Sequence, residues 1–271
     1  AIPGSLVGSE MCIRDRIRII TELYYPEETS TGYFVTGIAE GLAASGGYAV
    51  SVLCAQPTYS QRGVLAAKRE SRHGVEIQRL AAPSADNKSL LGRIWNTLSL
   101  TIRFGVSMLG YIKRGDLVMV VTNPPSLPFL VAWIATLKGA NPGLAVHDLY
   151  PDVLVPTGIT REGSLLYSFV DLLQRHMLQK MQRIVVLGRD MKERILTKLP
   201  SPDHSRFSII PNWGETDTIS PDLRINNRVR ACHELEDKFI IQFSGNLGRT
   251  HGLDDLVALA ERLKSREDIH F

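Results

Sequence analysis

Four stretches of this 271-residue chain carry residue types that can do chemistry. In the run His147-Asp148-Leu149-Tyr150-Pro151-Asp152, an imidazole stands beside a carboxylate. Such a pair can orient a sugar hydroxyl or move a proton; the plain alternative is a hydrogen-bonded histidine at a strand end with an aspartate shaping a turn. In Tyr25-Pro26-Glu27-Glu28-Thr29-Ser30-Thr31-Gly32, small hydroxyl residues and a glycine stand where a helix begins. Backbone N–H groups around Thr31 and Gly32 can approach an anion or a sugar closely there, although Ser30 or Thr31 would also serve as an ordinary helix cap. Ser244-Gly245-Asn246-Leu247-Gly248-Arg249-Thr250-His251-Gly252 joins a strand to a helix start. Bare N–H groups at Gly245 and Asn246, a positive helix end and the Arg249 guanidinium suit a diphosphate; a tight turn without any ligand has the same composition. Leu90 to Lys113 is apolar on much of its surface, with Arg93, Arg103, Lys113 and Arg114 interleaved. It is too charged to span a bilayer, so it reads as an interfacial helix or as an ordinary surface helix.

Other chemistries are poorly supplied. No GxGxxG dinucleotide fingerprint follows a strand. Asp148 and Asp152 do not make a carboxylate-x-carboxylate pair, and Glu215-Thr216-Asp217 has that spacing but sits in a connection, so no metal site is expected. Cys12, Cys54 and Cys232 are odd in number and form no CxxC pair, which argues against a disulfide framework or a zinc site and suits a reducing cytosol. A net charge of +3 with 22% charged residues lacks the dense basic stripe of a nucleic-acid binder, but mildly favours anionic partners such as a diphosphate or an anionic membrane face.

The elements that must carry these residues alternate. Residues 1–16 show neither helical nor strand period and lack the ordered parts of a signal peptide, so they are set apart as a non-native or disordered extension. Ile17 to Leu23 reads as a buried strand, and Phe34, Ile38 and Leu42 recur at helical spacing. Strands are expected at Ala49–Cys54, Val75–Leu80, Leu117–Val121, Leu144–Val146, Ile184–Leu187 and Phe207–Ile210, with helices at Leu127–Leu137, Leu165–Met181 and Met191–Leu199. Asn123-Pro124-Pro125 is a clear breaker after the Leu117 strand. Alternation of this kind predicts an α/β, doubly wound parallel sheet, with ligands at the carboxyl ends of strands. Ile210-Pro211-Asn212-Trp213-Gly214 turns the chain out of a first domain, 17–215. In 216–271, a fresh strand at Phe239–Ser244, a helix face from Leu253 to Leu263 and a strand at Ile269 open a second domain, which is expected to be incomplete.

In order, Tyr24-Tyr25-Pro26-Glu27 with Thr31-Gly32, Thr122-Asn123-Pro124-Pro125, His147 to Asp152, Ile184-Val185-Val186-Leu187, Ile209-Ile210-Pro211-Asn212-Trp213 and Phe243 to Gly248 resemble retaining glycosyltransferases of family four. The likeness is strongest to members that build colanic acid, O-antigen and capsule. The resemblance implies the GT-B architecture, in which two Rossmann-like domains face a cleft. It implies a nucleotide-diphosphate sugar as donor, no metal or other cofactor, and a polyprenyl-diphosphate-linked saccharide as acceptor. It implies a cytoplasmic enzyme, peripheral on the inner membrane. His147 and Asp148 become catalytic candidates. Thr31, Gly32, Asn123, Gly245, Asn246 and Arg249 become substrate- or donor-binding candidates. Two departures stand out: His251 occupies the neighbourhood of an expected lysine, and the family's paired glutamates would fall beyond Phe271, so this chain alone is expected to be inactive. A sugar-nucleotide 2-epimerase of the same architecture and a non-catalytic membrane-docking partner are the competing readings.

Overall fold

Short runs rich in valine and isoleucine, separated by helical repeats, set the architecture. The computed structural model describes residues 15–57, 65–82, 89–201, 203–216, 219, 227–245 and 252–271. Eight strands form one sheet: β1 (Asp15–Ile20), β2 (Tyr48–Ala55), β3 (Arg69–Arg72), β4 (Val75–Leu80), β5 (Leu117–Val121), β6 (Asn141–Val146), β7 (Arg183–Val186) and β8 (Phe207–Ile209). Their order is β3-β4-β2-β1-β5-β6-β7-β8. All neighbours run parallel except β3 and β4. The expected doubly wound α/β sheet is therefore present.

Helices α1 (Ser30–Ala44), α2 (Leu90–Tyr111), α3 (Leu127–Lys138), α4 (Leu165–Lys180) and α5 (Arg189–Lys198) connect the strands. Parallel sheets need both faces covered, and two apolar clusters do this. Val35 and Ala39 of α1 pack with Ile17, Ile19, Val50, Val52, Val75 and Ile77. Phe104 and Met108 of α2, Val131 of α3, Leu178 of α4 and Ile195 of α5 pack with Val118, Val120, Leu144, Val146, Ile184 and Val186. Each fully buried side chain of this size contributes roughly 1.5–3 kcal/mol. α4 and α5 are also clasped by polar groups: buried Lys198 donates to Asp171 at 2.7 Å and to Gln174 at 3.1 Å.

β1 begins at Asp15, two residues inside the segment set apart on sequence, while residues 1–14 lie outside the described residues. The early start has a cause. Asp116, fully buried at the head of β5, accepts from Arg16 at 2.6 Å, from Arg18 at 3.2 Å and from the Lys113 N–H at 2.9 Å. Burial pushes the Asp116 carboxyl up, but the Arg16, Lys113 and Arg18 hydrogen bonds outweigh it and hold it below the ordinary carboxylate range. The sequence pattern also missed β3, which has no apolar residue. It is an edge strand joined to β4 through His73 (φ 45°) and Gly74 (φ 80°), a two-residue turn that needs positive φ at both positions.

The chain divides into two compact units, one of residues 1–150 and 169–212, the other of 151–168 and 213–271. The division sets 151–168 with the second unit, where the sequence pattern ran a first domain unbroken to 215. The second unit holds α6 (Arg228–Cys232), α7 (Leu253–Arg262) and a parallel pair, β9 (Phe239–Ile240) and β10 (Ile269–His270). β9 is shorter than the expected Phe239–Ser244. The Arg230 guanidinium donates to the carbonyls of Leu235, Glu236 and Lys238. Among the described residues of 213–271, Leu235 alone is buried.

Candidate functional site

β1, β5 and β6 are parallel neighbours, so the loops after Ile20, Val121 and Val146 leave the same edge of the sheet. From β1 the chain moves towards β2; from β5 it moves the other way, towards β6. Loops that part in this fashion leave a crevice at a topological switch point. Gly32, Asn123 and His147 all lie on that edge.

One hydroxyl joins two of these loops. Buried Thr122 accepts from the His147 N–H at 3.1 Å and from the Asp148 N–H at 3.0 Å. This fixes the direction in which the chain leaves β6. His147 is half-buried and Asp148 exposed. Burial lowers the His147 pKa, opposed in part by the Asp148 charge, so the imidazole is neutral at pH 7 and can accept a proton. Burial, and then Asp148, raise the nearby Tyr150 phenol. Asn123 follows Thr122 directly and is half-buried, ahead of a cis bond to Pro124.

The loop after β1 is built differently from the sequence reading. Thr29, rather than Ser30 or Thr31, caps α1, its hydroxyl accepting from the Gly32 N–H at 3.2 Å. Gly32 is buried, and a Cβ there would stand 2.6 Å from the Glu27 carbonyl oxygen. Glycine is thus required by a close backbone approach within the loop, and Thr31 beside it is half-buried. A groove of about 680 Å³ runs along this loop, lined by Tyr25, Pro26, Glu28, Tyr33, Phe34 and Thr36 among others. Tyr25 and Tyr33, each about two-fifths exposed, line it. Neither Asn123 nor His147 lines this groove.

Arg79 holds the loop from behind and escaped the sequence reading. Its fully buried guanidinium donates to the Tyr25 carbonyl at 2.7 Å, the Glu70 carboxylate at 2.7 Å and the Ala67 carbonyl at 2.9 Å. A signal existed: Arg79 shares strand phase with Val75 and Ile77, so it points where β4 buries its side chains. Arg72 stacks on the Tyr25 ring at 3.7 Å. Gly245, in the second unit, has φ 154°, while Asn246 and Arg249 lie outside the described residues. Among the described residues, no group of three His, Cys, Asp or Glu is placed to hold a metal.

Residues 31–213, more than half of the chain, match the family described as "Glycosyl transferase 4-like domain". The chain belongs to this family. The chain is similar to WbjE of Pseudomonas aeruginosa, named a probable glycosyltransferase, at 28% identity over 68% of this chain and 46% of WbjE. It is similar to WcaI of Escherichia coli K12, named as a candidate colanic acid biosynthesis glycosyl transferase, at 25% identity over 89% of this chain and 61% of WcaI. The chain thus spans about half to three-fifths of the length of these curated relatives. Among solved structures, Anabaena HepE in complex with UDP-glucose aligns with a TM-score of 0.53 at 11% identity, covering 94% of this chain and 68% of HepE. The N-terminal domain of a Candida albicans trehalose-6-phosphate phosphatase aligns with a TM-score of 0.50 at 12% identity, covering 88% and 57%. At such identities the likeness is one of fold: a mixed α/β architecture with an eight-stranded, mostly parallel sheet, as in GT-B glycosyltransferases. The family match takes in the β5 and β6 loops, puts them in a glycosyltransferase context and leaves the role of each residue to chemistry.

Proposed function

We propose that this chain carries the acceptor-side domain, 17–215, and part of the donor-side domain, 216–271, of a retaining, metal-independent glycosyltransferase. The enzyme moves a sugar from a nucleotide-diphosphate sugar to a polyprenyl-diphosphate-linked saccharide in bacterial surface polysaccharide synthesis, on the cytoplasmic face of the inner membrane. The observation that carries the reading is the Thr122 hydroxyl, which draws His147 and Asp148 together with Asn123 at the switch point of the sheet. Family membership and the UDP-glucose bound by HepE support a nucleotide-sugar donor.

In the reaction, the bond from the anomeric carbon to the diphosphate oxygen breaks, and the leaving group keeps the electron pair. The acceptor oxygen bonds to that carbon and releases its proton. His147, held neutral by burial, orients the acceptor hydroxyl or takes up this proton, and Asp148 steadies the imidazolium that forms. Asn123 and Thr31 at the start of α1 contact sugar hydroxyls, Gly32 shapes the loop that lets the sugar approach, and the tyrosine-lined groove along that loop packs a saccharide ring. Gly245, Asn246 and Arg249 meet the charge on the diphosphate, a task that fixed N–H groups and guanidinium can do without a metal.

The test uses a chain extended to the length of its relatives, with a panel of nucleotide-diphosphate sugars and a lipid-linked acceptor. Replacing His147 by Gln should lower kcat/KM by about 100-fold or more, with donor binding by calorimetry retained. Undiminished transfer would remove His147 from the chemistry. Release of an epimerised nucleotide sugar without any acceptor would replace transfer by epimerisation.

A further inference from the structure

α2 has two apolar faces. One carries Leu100, Phe104 and Met108 into the core. The other carries Leu91, Ile94, Trp95, Leu98, Ile102, Val106 and Leu109, each between 48% and 79% exposed. At 3.6 residues per turn these seven fall within a sector of about 120°. A groove of about 400 Å³ between Ile102, Val106 and the end of β4 at Leu80 deepens this face, and Arg103 crosses its rim to the Ala81 carbonyl at 3.2 Å. Singly exposed leucines need no explanation, but a continuous stripe of this width does.

We propose that this outward face of α2 lies in the headgroup region of an anionic phospholipid bilayer. Charge selects the occupant. From Asn87 to Gly115 the chain has no Asp or Glu, yet it carries Lys88, Arg93, Arg103, Lys113 and Arg114. Arg103 flanks the stripe, and this acid-free run gives a second copy no anion to set against it, whereas lipid phosphates complement it. Trp95, 64% exposed on the stripe, is of the residue type that settles at the membrane–water interface. Among the described residues, no helix is long and apolar enough to cross a membrane, so α2 would lie along the surface. The proposal names the contact surface for the membrane setting given above. It rests on α2 alone and is separable from sugar transfer.

The experiment takes the 271-residue chain with Trp133 and Trp213 replaced by Phe, leaving Trp95 as the only reporter. With vesicles of equal phosphatidylglycerol and phosphatidylcholine at low salt, Trp95 emission should move to shorter wavelength and be quenched by lipids brominated on the acyl chain. Pure phosphatidylcholine should bind weakly. Ile102→Ser with Val106→Ser, both at exposed positions that leave the fold intact by circular dichroism, should lower partitioning about tenfold or more. Arg93→Glu with Arg103→Glu should lower it by a similar factor at low salt, and 1 M salt should mimic that loss in the parent chain. Unshifted emission with anionic vesicles, or partitioning indifferent to the serine pair, would overturn the proposal. So would concentration-dependent dimerisation abolished by the serine pair, which would give the face to a second copy. Vesicle binding by this chain, together with failure of the extended chain to bind any nucleotide-diphosphate sugar, would reject the transferase reading and keep this one.

Discussion

The first unit packs helices onto both faces of eight strands and buries whole side chains, Phe104, Met108, Ile184 and Ile195 among them. In the second, α7 has an apolar face of the same design, yet none of its residues is buried, and Val257 and Leu259 stay exposed. Both units use the same order of strand, helix and strand. What differs is the number of neighbouring layers available to each helix. Two paired strands are marginal by themselves, and the second unit relies on polar contacts such as the Arg230 clasp and the exposed Arg266–Asp268 pair. Exposed ion pairs contribute little. The contrast separates secondary structure, which is local, from stability, which comes with burial.

The sharpest way to break this contrast is Phe104→Ala. It empties a fully buried site and should cost about 3–5 kcal/mol in urea unfolding; a loss below about 1 kcal/mol would mean that α2 is not part of the core. Next comes Asp116→Asn, which leaves two guanidiniums without their buried anion and should cost about 3 kcal/mol. Acid sharpens it. A carboxyl held below its ordinary value stabilises the fold at pH above about 4, and that stability is lost as pH falls through the lowered folded value. The Asn variant should lack this part of the acid slope, and an unchanged slope would assign it to other groups. Thr122→Val strands two part-buried N–H groups and should cost about 1 kcal/mol, whereas Thr122→Ser should restore most of it; equal behaviour of the two variants would dismiss the hydroxyl. Smallest is Val257→Ala in the second unit, at below about 0.5 kcal/mol. Hydrogen exchange should show the same order, with amides of β1 and β5 protected far longer than those of β9 and β10. Equal protection would erase the contrast.

Most of the sheet was legible because its signals are local. Leu117 to Val121 is bounded by turn residues and reads as a strand from either end, and the spacing of apolar residues in α1, α2 and α3 follows the helical period. His147 and Asp148 were legible by position, since a short apolar run ends just before them. The parts that escaped depend on distance in space. Thr122, which orients both, is 25 residues away from His147. Arg79 reaches back 54 residues to the Tyr25 carbonyl. Nothing near Thr29 distinguishes it from Ser30 or Thr31 as a helix cap, and only the close approach of Gly32 to the Glu27 carbonyl selects it. β3 escaped because an edge strand with one side to solvent needs no apolar residue. The same dependence on partners explains why Phe239 to Ser244, apolar enough for six residues of strand, pairs over only two.

The bond from Arg16 to Asp116 also sets a schedule. Its ends are 100 residues apart in the chain. β2 and β4 lie on one side of β1, so they can assemble as they emerge, but the other side of β1 waits for β5. At typical rates of synthesis, about 5–20 residues per second, the wait lasts roughly 5–20 s. Through that interval the side of β1 destined for β5 presents unpaired backbone N–H and C=O groups. The central strand of the finished sheet therefore spends its first seconds as an edge, and edges are where strands of different chains meet. Slower synthesis between Gln56 and Asp116 would prolong this exposure, and chaperone occupancy on the nascent chain would be greatest over the same stretch.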